Sequence, residues 1–186
     1  MAKAGVWDRM VDAITAAHDG DIRMIDSMSI RAHQQAATAK GGRDHCLARS
    51  GDGLTTKVHA VVDAQGLPIR LSLTEGKAMM GKPPTTASSR CRWNIVLADK
   101  AYDADRIRLA HREKGAFANI HPGPITLETY FSTWLYREGT LIERFFSRPK
   151  HFRGIATRYD KLAEPFLAMA KLASIRLWFP RLWVTA

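Results

Sequence analysis

Residues 95–98 read Ile-Val-Leu-Ala, an unbroken apolar run that ends on an acid, Asp99. A short run with no polar alternation predicts a central strand buried on both faces, and such a strand needs cover on each side of its sheet. Ligands of open α/β sheets bind beyond the carboxyl ends of these strands, so Asp99 is placed for chemistry. Met24 to Ile30 predicts a second strand. There Met24, Asp26, Met28 and Ile30 share one face by the two-residue period, and an acid in that row needs a partner. A third acid, Glu143, lies in LYREGTLIERFF, a helical stretch crowded with arginine and phenylalanine. Ionised carboxylates near a core need a cation, and one divalent metal serves several at once.

The rest of the chain supplies a frame for these acids. A helix is predicted over residues 5–17, with Trp7, Val11 and Ile14 on one side. Residues 34–53 read as a loop, with Lys40, Arg43 and Arg49 as phosphate contacts or simply solvated charges. Strands are predicted at 55–63 and 69–73, joined by a turn at Gln65-Gly66-Leu67-Pro68. Residues 76–92 read as a loop or one short helix. A helix from Asp103 or Asp105 to Lys114 precedes a strand at 117–120 and a break at Pro122-Gly123-Pro124. A helix over 133–152 follows, in which Tyr136, Glu143 and Lys150 are seven apart and share a face. Leu141, Phe145 and Phe152 cover its sheet-facing side. The last helix spans 161–179. The sum is an α/β fold: a mixed sheet with a three-stranded antiparallel part, flanked by helices.

At 186 residues the chain is one domain, or one domain with an arm. Its 28 basic against 18 acidic side chains, net +10, favour an anionic partner, and nucleic acid is the first candidate. From Arg144 to Lys161 six Lys or Arg face one acid, Asp160, with aromatic residues between them. Lys100, Arg137, Arg144, Arg148, Lys150 and Arg153 are the candidate DNA contacts, with Lys100 equally suited to pairing a carboxylate. The two cysteines, Cys46 and Cys91, form no Cys-x-x-Cys pair, which argues against zinc. His33 and His59 lie near predicted strands as surface or supporting residues. No secretory leader and no apolar run of membrane-spanning length is visible, so a cytoplasmic protein is expected.

Four runs, IDSMSIRAH, GLTTKVHAVVDAQGLPIRLSLTEG, ADKAYDAD and YREGTLIERFFSRPKHFRGIATRYDKLAEPFLAM, occur in an order that resembles the DDE transposases of bacterial insertion sequences. The nearest group is insertion sequence family five. The resemblance implies a ribonuclease H-like fold and a metal-binding catalytic triad of Asp26, Asp99 and Glu143. Two magnesium or manganese ions are implied, Asp26 bridging both, Asp99 and Glu143 each holding one. Water attack on a phosphodiester at the element end would release a 3′ hydroxyl, which then attacks target DNA. Tyr136 and Lys150 would contact DNA near the cut. The resemblance further implies a homo-oligomer on DNA, and a second-frame product or truncated catalytic half, with the product of an upstream frame as partner. Residues 1–21 would then be a remnant arm of a DNA-binding region, and 22–186 the catalytic domain.

The chain departs from the family pattern at Gly139, where arginine is usual, and at Ala101, where glycine is usual. It departs again at GKAMM (residues 76–80) and at Pro149 inside the predicted helix. Proline in a helix interior costs about 3 kcal/mol, so the helix should end or kink between Ser147 and Pro149. An alternative therefore stands beside catalysis: a non-catalytic remnant that binds DNA or an intact transposase.

Overall fold

The computed structural model describes residues 5–16, 20–38, 45–51, 53–76, 94–123, 130–137 and 140–182. Helix α1 (Val6–Ala16) leads into the long strand β1 (Ile22–Ala32). Strands β2 (Ala48–Ser50), β3 (Gly53–Asp63) and β4 (Pro68–Glu75) follow, then β5 (Ile95–Ala98). Helix α2 (Asp105–Arg112) and strand β6 (Phe117–Ile120) complete the first half. Helices α3 (Thr133–Arg137), α4 (Thr140–Ser147) and α5 (Arg153–Ala156) precede the two-residue strand β7 (Thr157–Arg158). Helices α6 (Ala163–Ile175) and α7 (Phe179–Leu182) end the described chain.

One sheet organises these elements, in the order β2-β3-β1-β5-β6. Strands β4, β3 and β1 are antiparallel, while β5 and β6 run parallel to β1 on its other side. Strand β4 shares the outer edge of β3 with β2, and β7 shares an edge of β1 with β5. The expected mixed sheet with an antiparallel three-stranded part is thus present.

Alternation along the strands sorts the core into two layers. On one face Met24, Ala60, Val62 and Leu97 meet Ile142, Phe145 and Phe146 of α4, with Phe166 and Ala170 of α6. On the other Ile25, Val61, Val96 and Ala98 meet Tyr102 and, from α2, Ile107. The buried Trp178 donates from its indole Nε1 to the carbonyl of Pro68 at 2.9 Å, tying the end of the chain to β4. Asp8 of α1 pairs with Lys171 of α6. No helix among the described residues is long and apolar enough to cross a membrane.

Several expectations need correction. The stretch expected as one helix over 133–152 holds α3 and α4, ends at Ser147 where Pro149 led one to expect a stop, and continues as a 3-10 turn at Pro149–His151; residues 138–139 (and so Gly139) lie outside those described. Lys150 therefore does not share the helix of Glu143. Phe152, expected in the core, is 38% exposed, because the chain turns at Pro149 and leaves its ring beneath the Arg176 guanidinium. The loop expected over 34–53 contains a 3-10 turn at Gln34–Thr38 and strand β2. Of its three candidate cations, Arg49 is exposed on β2, while Lys40 and Arg43 lie outside the described residues, as do 77–93 with Cys91. The last helix is shorter than expected, its regular part ending at Ile175.

The hairpin turn positions α4. Asp63 Oδ1 accepts the backbone N–H groups of Gln65 (2.9 Å) and Leu67 (2.8 Å), closing the loop on itself. Gly66 sits at φ 74°, and a Cβ there would lie 3.1 Å from the carbonyl oxygen of Leu141, two residues before Glu143. A side chain at that φ costs about 1–2 kcal/mol before any contact is counted. Gly66→Ala is therefore expected to lower the thermal midpoint by several degrees, read by circular dichroism. An unchanged midpoint would remove this turn from the supports of α4.

Candidate active site

Strands β1, β5 and β6 lie side by side and in register. Ile25 pairs with Ala98, and Ala98 with Ile120, so the three form one row across the sheet. One residue further along each strand stand Asp26, Asp99 and His121. Side chains alternate, so this second row faces away from the layer of Ile25, Ala98 and Ile120 and towards the side covered by α4. Opposite Asp26 on β3 is Ala60, whose small side chain leaves room beside the carboxylate.

A cavity of about 150 Å³ opens at this point. Asp26, Asp99, Glu143 and Tyr136 line it, over apolar walls that include Met24, Leu97 and Ile142. Asp26 and Asp99 come from the sheet, Tyr136 from α3 and Glu143 from the exposed side of α4, whose other side is held by Ile142, Phe145 and Phe146. The spacing of apolar residues on α4 turns Glu143 away from the core, while Ile142 anchors the adjacent turn.

The two sheet carboxylates are held by their own backbone. Asp26 Oδ1 accepts the N–H of Ser27 at 2.7 Å. Asp99 Oδ1 accepts the N–H of Lys100 at 2.7 Å, capping the 3-10 turn Lys100–Tyr102, and also the hydroxyl of Tyr136 at 3.2 Å. Burial pushes the Asp26 carboxyl up to about 6; the Ser27 N–H opposes this, and the charges of Asp99 and Glu143 add to it. The Tyr136 phenol is raised by burial and then by the charge of Asp99, with its hydrogen bond to Asp99 and the charges of Asp26 and Glu143 adding. Each of the three acids is thus felt by a second group in the cavity. Among the described residues no three His, Cys, Asp or Glu side chains are grouped tightly enough to hold one ion between them.

Behind the sheet, His59 is buried and bonded on both nitrogens, by Nδ1 to the Tyr102 hydroxyl (3.0 Å) and by Nε2 to Thr74 Oγ1 (2.8 Å). Burial, with Lys57 adding, drives its imidazole down to about 4, so it is neutral at ordinary pH. Tyr102 belongs to the turn capped by Asp99, so this pair braces that turn from the far side. His33 is exposed and stacked on Tyr159, with ring centroids 4.8 Å apart.

The candidate cations Lys100, Arg137, Arg144, Arg148, Lys150 and Arg153 are all exposed. The ion pairs among the described residues are Arg108–Asp103 and Lys171–Asp8, so none of these six is in one. Ala101 is exposed in the 3-10 turn, away from the cavity wall.

Sequence reasoning did not single out His121 or Asn119. His121 donates its backbone N–H to the carbonyl of Ala98, and its ring lies against Phe131 and Tyr136, with centroids at 5.1 and 5.6 Å. The signal was available: FANI followed by His repeats the pattern of IVLA followed by Asp. For Asn119 there was none, because a buried carboxamide in a strand looks like any polar residue facing solvent.

This chain belongs to the transposase DDE domain family, which matches residues 17–178. It is 39% identical over 131 residues, 67% of this chain and 98% of the other, to a Brucella ovis protein named "Putative transposase for insertion sequence element IS6501". No solved structure matches the chain significantly.

The raised Asp26 carboxyl gives a test of the cavity itself. Its protonated form is favoured by folding, so ionisation costs stability as pH rises from about 4 through about 6. Asp26→Asn mimics the protonated form. In buffer free of divalent metal it should stabilise the protein at pH 8 by roughly 1–2 kcal/mol, after allowance for partial exposure. The gain should vanish near pH 4. A variant equally stable or less stable at pH 8 would show that Asp26 is not held in an anionic, desolvated place.

Proposed function

We propose that the protein acts in DNA transposition as a metal-dependent DDE enzyme of ribonuclease H-like fold, with Asp26, Asp99 and Glu143 as its catalytic carboxylates. The observation that carries this reading is the levelling of Asp26 with Asp99 on neighbouring parallel strands, across one cavity from Glu143. An all-oxygen donor set of three carboxylates suits magnesium or manganese. Burial, with two neighbouring anions adding, raises the Asp26 carboxyl, and a bound cation would offset that cost of ionisation. Asp26 and Asp99 would hold two such ions from the sheet and Glu143 would complete the set from α4. When bound, the ions supply Lewis acidity and activate water at neutral pH.

The chain's own groups do the rest. Tyr136 holds one oxygen of Asp99 and leaves the remainder of that carboxylate turned to its task. Apolar walls from Met24, Leu97 and Ile142 thin the water around the reacting phosphate. The exposed cations Lys100, Arg137, Arg144, Arg148, Lys150 and Arg153 would receive flanking phosphates of the element end and of target DNA. Water attack on phosphorus breaks the bond to the 3′ oxygen, which leaves as a hydroxyl and serves as the nucleophile of strand transfer. Insertion sequence family five, residues 1–21 as an arm, a homo-oligomer on DNA and the product of an upstream frame belong to the same proposal.

A second reading has the chain's departures from the family pattern behind it, at Ala101, Gly139 and Pro149. A non-catalytic remnant would bind DNA, or an intact transposase, through the same basic face. Plasmid nicking separates the two. The enzyme nicks supercoiled DNA with millimolar magnesium or manganese, and Asp26→Asn, Asp99→Ala and Glu143→Gln each abolish the activity. Those metals also raise its thermal midpoint, and Asp26→Asn removes that rise. Salt-sensitive DNA binding that ignores metal, with no nicking, would instead establish the remnant.

A further inference from the structure

Helix α3 buries none of its residues fully, and Trp134 at its centre is 70% exposed. Leu135 packs partly on the core and the Tyr136 ring lies on His121 and Phe131, so the core alone holds α3 weakly. Yet α3 delivers Tyr136 to Asp99. A further fixture at its start is on β6, the strand that ends the sheet order. Asn119 is fully buried there, in register with Leu97. Its Oδ1 accepts the backbone N–H of Ser132 at 2.7 Å, and its Nδ2 donates to the Ser132 carbonyl at 3.0 Å.

One side chain thus pairs with both backbone groups of one residue, as a neighbouring strand would. The orientation of the carboxamide follows, because the Ser132 N–H requires an oxygen and its carbonyl requires a donor. That carbonyl also accepts the N–H of Tyr136 at 3.1 Å, and Ser132 Oγ accepts the N–H of Leu135 at 3.4 Å. Ser132 is therefore the cap of α3. Bond by bond the connection runs from Asn119 to Ser132, from Ser132 to Tyr136, and from the Tyr136 hydroxyl to Asp99 Oδ1 at 3.2 Å.

We propose that Asn119 is a positioning residue, whose buried carboxamide clasps Ser132 and thereby sets the Tyr136 hydroxyl against the Asp99 carboxylate. The inference rests on the proposed function only in treating Asp99 as a reacting group. A carboxamide does this where a hydroxyl would not, because it offers a donor and an acceptor at the spacing of a peptide unit. Leaving either Ser132 group half-paired beside the sheet edge removes an anchor at the start of a helix that buries none of its side chains fully.

The chain has four tyrosines, so a spectrum of protein labelled at tyrosine 13Cζ carries four lines. Tyr136→Phe assigns the relevant one, and Asp99→Ala marks where it falls once the hydrogen bond is gone. Asn119→Ala is expected to move the Tyr136 line to that same place while the Tyr102 line, braced by His59, stays. Asn119→Asp, which keeps the acceptor and loses the donor, is expected to move it part of the way. A Tyr136 line that stays put in Asn119→Ala while the melting temperature falls would make Asn119 merely structural and overturn the proposal.

Should the variants fail to fold, hydrogen exchange in the unaltered protein decides. Ser132 and Tyr136 amides as slow as those of β6 support the clasp, and fast exchange at Ser132 refutes it. None of these readings depends on DNA cleavage, so a negative nicking assay with a displaced line rejects the function and keeps the clasp. Where nicking is present, Asn119→Ala and Tyr136→Phe should lose the same fold in rate, and the double variant no more. Additive losses would show that Asn119 acts by another route.

Discussion

The parallel pairing of β1 with β5 is the constraint on which the site depends. Strand β1 is long enough to serve two partners on that edge, β5 near its start and β7 at its end. The register with β5 brings Asp26 level with Asp99, although 73 residues separate them in sequence (99 less 26). A slip of one residue would turn either carboxylate to the other face of the sheet, where Tyr102 and Ile107 pack. Register is enforced from below by Ile25, Val96 and Ala98, all buried, so the core that holds the strands in step also holds the acids in step.

That arrangement carries an electrostatic cost inside a protein whose net charge is +10. The cations do not neutralise the cavity: the arginines and lysines around α4 and α5 are exposed, and neither ion pair among the described residues involves a cavity acid.

How much of this could be read in advance depends on the length scale of each signal. The apolar run Ile95–Ala98, the alternation of β1 and the hairpin turn at Gly66 announced the strands they form, since each spans several residues and obeys one period. Strands β2 and β7, with three and two residues, show no period at all, and they form because β3 and β1 are long enough to offer free edges. Phe152 followed helical spacing from Phe145, but spacing means nothing across a break. His121 and Asn119 could be valued only once β6 was seen beside β5, because their meaning lies in a neighbour and not in their own segment.

Pro149 shows how the effect of one residue type depends on where its helix stops. Inside a continuous helix it would cost about 3 kcal/mol. Helix α4 has already ended at Ser147, and Pro149 begins a separate 3-10 turn, where its missing N–H is no loss. It is buried there, not expelled, and the following residues turn through α5 into β7 on the edge of β1. Glu143 is held by the packing of Ile142, Phe145 and Phe146 on the sheet rather than by the length of its helix. The departure that most resembled damage therefore leaves the carboxylate's support untouched. What it alters is the direction of the basic segment beyond, where Lys150 leaves the helix of Glu143 while the cavity keeps its walls.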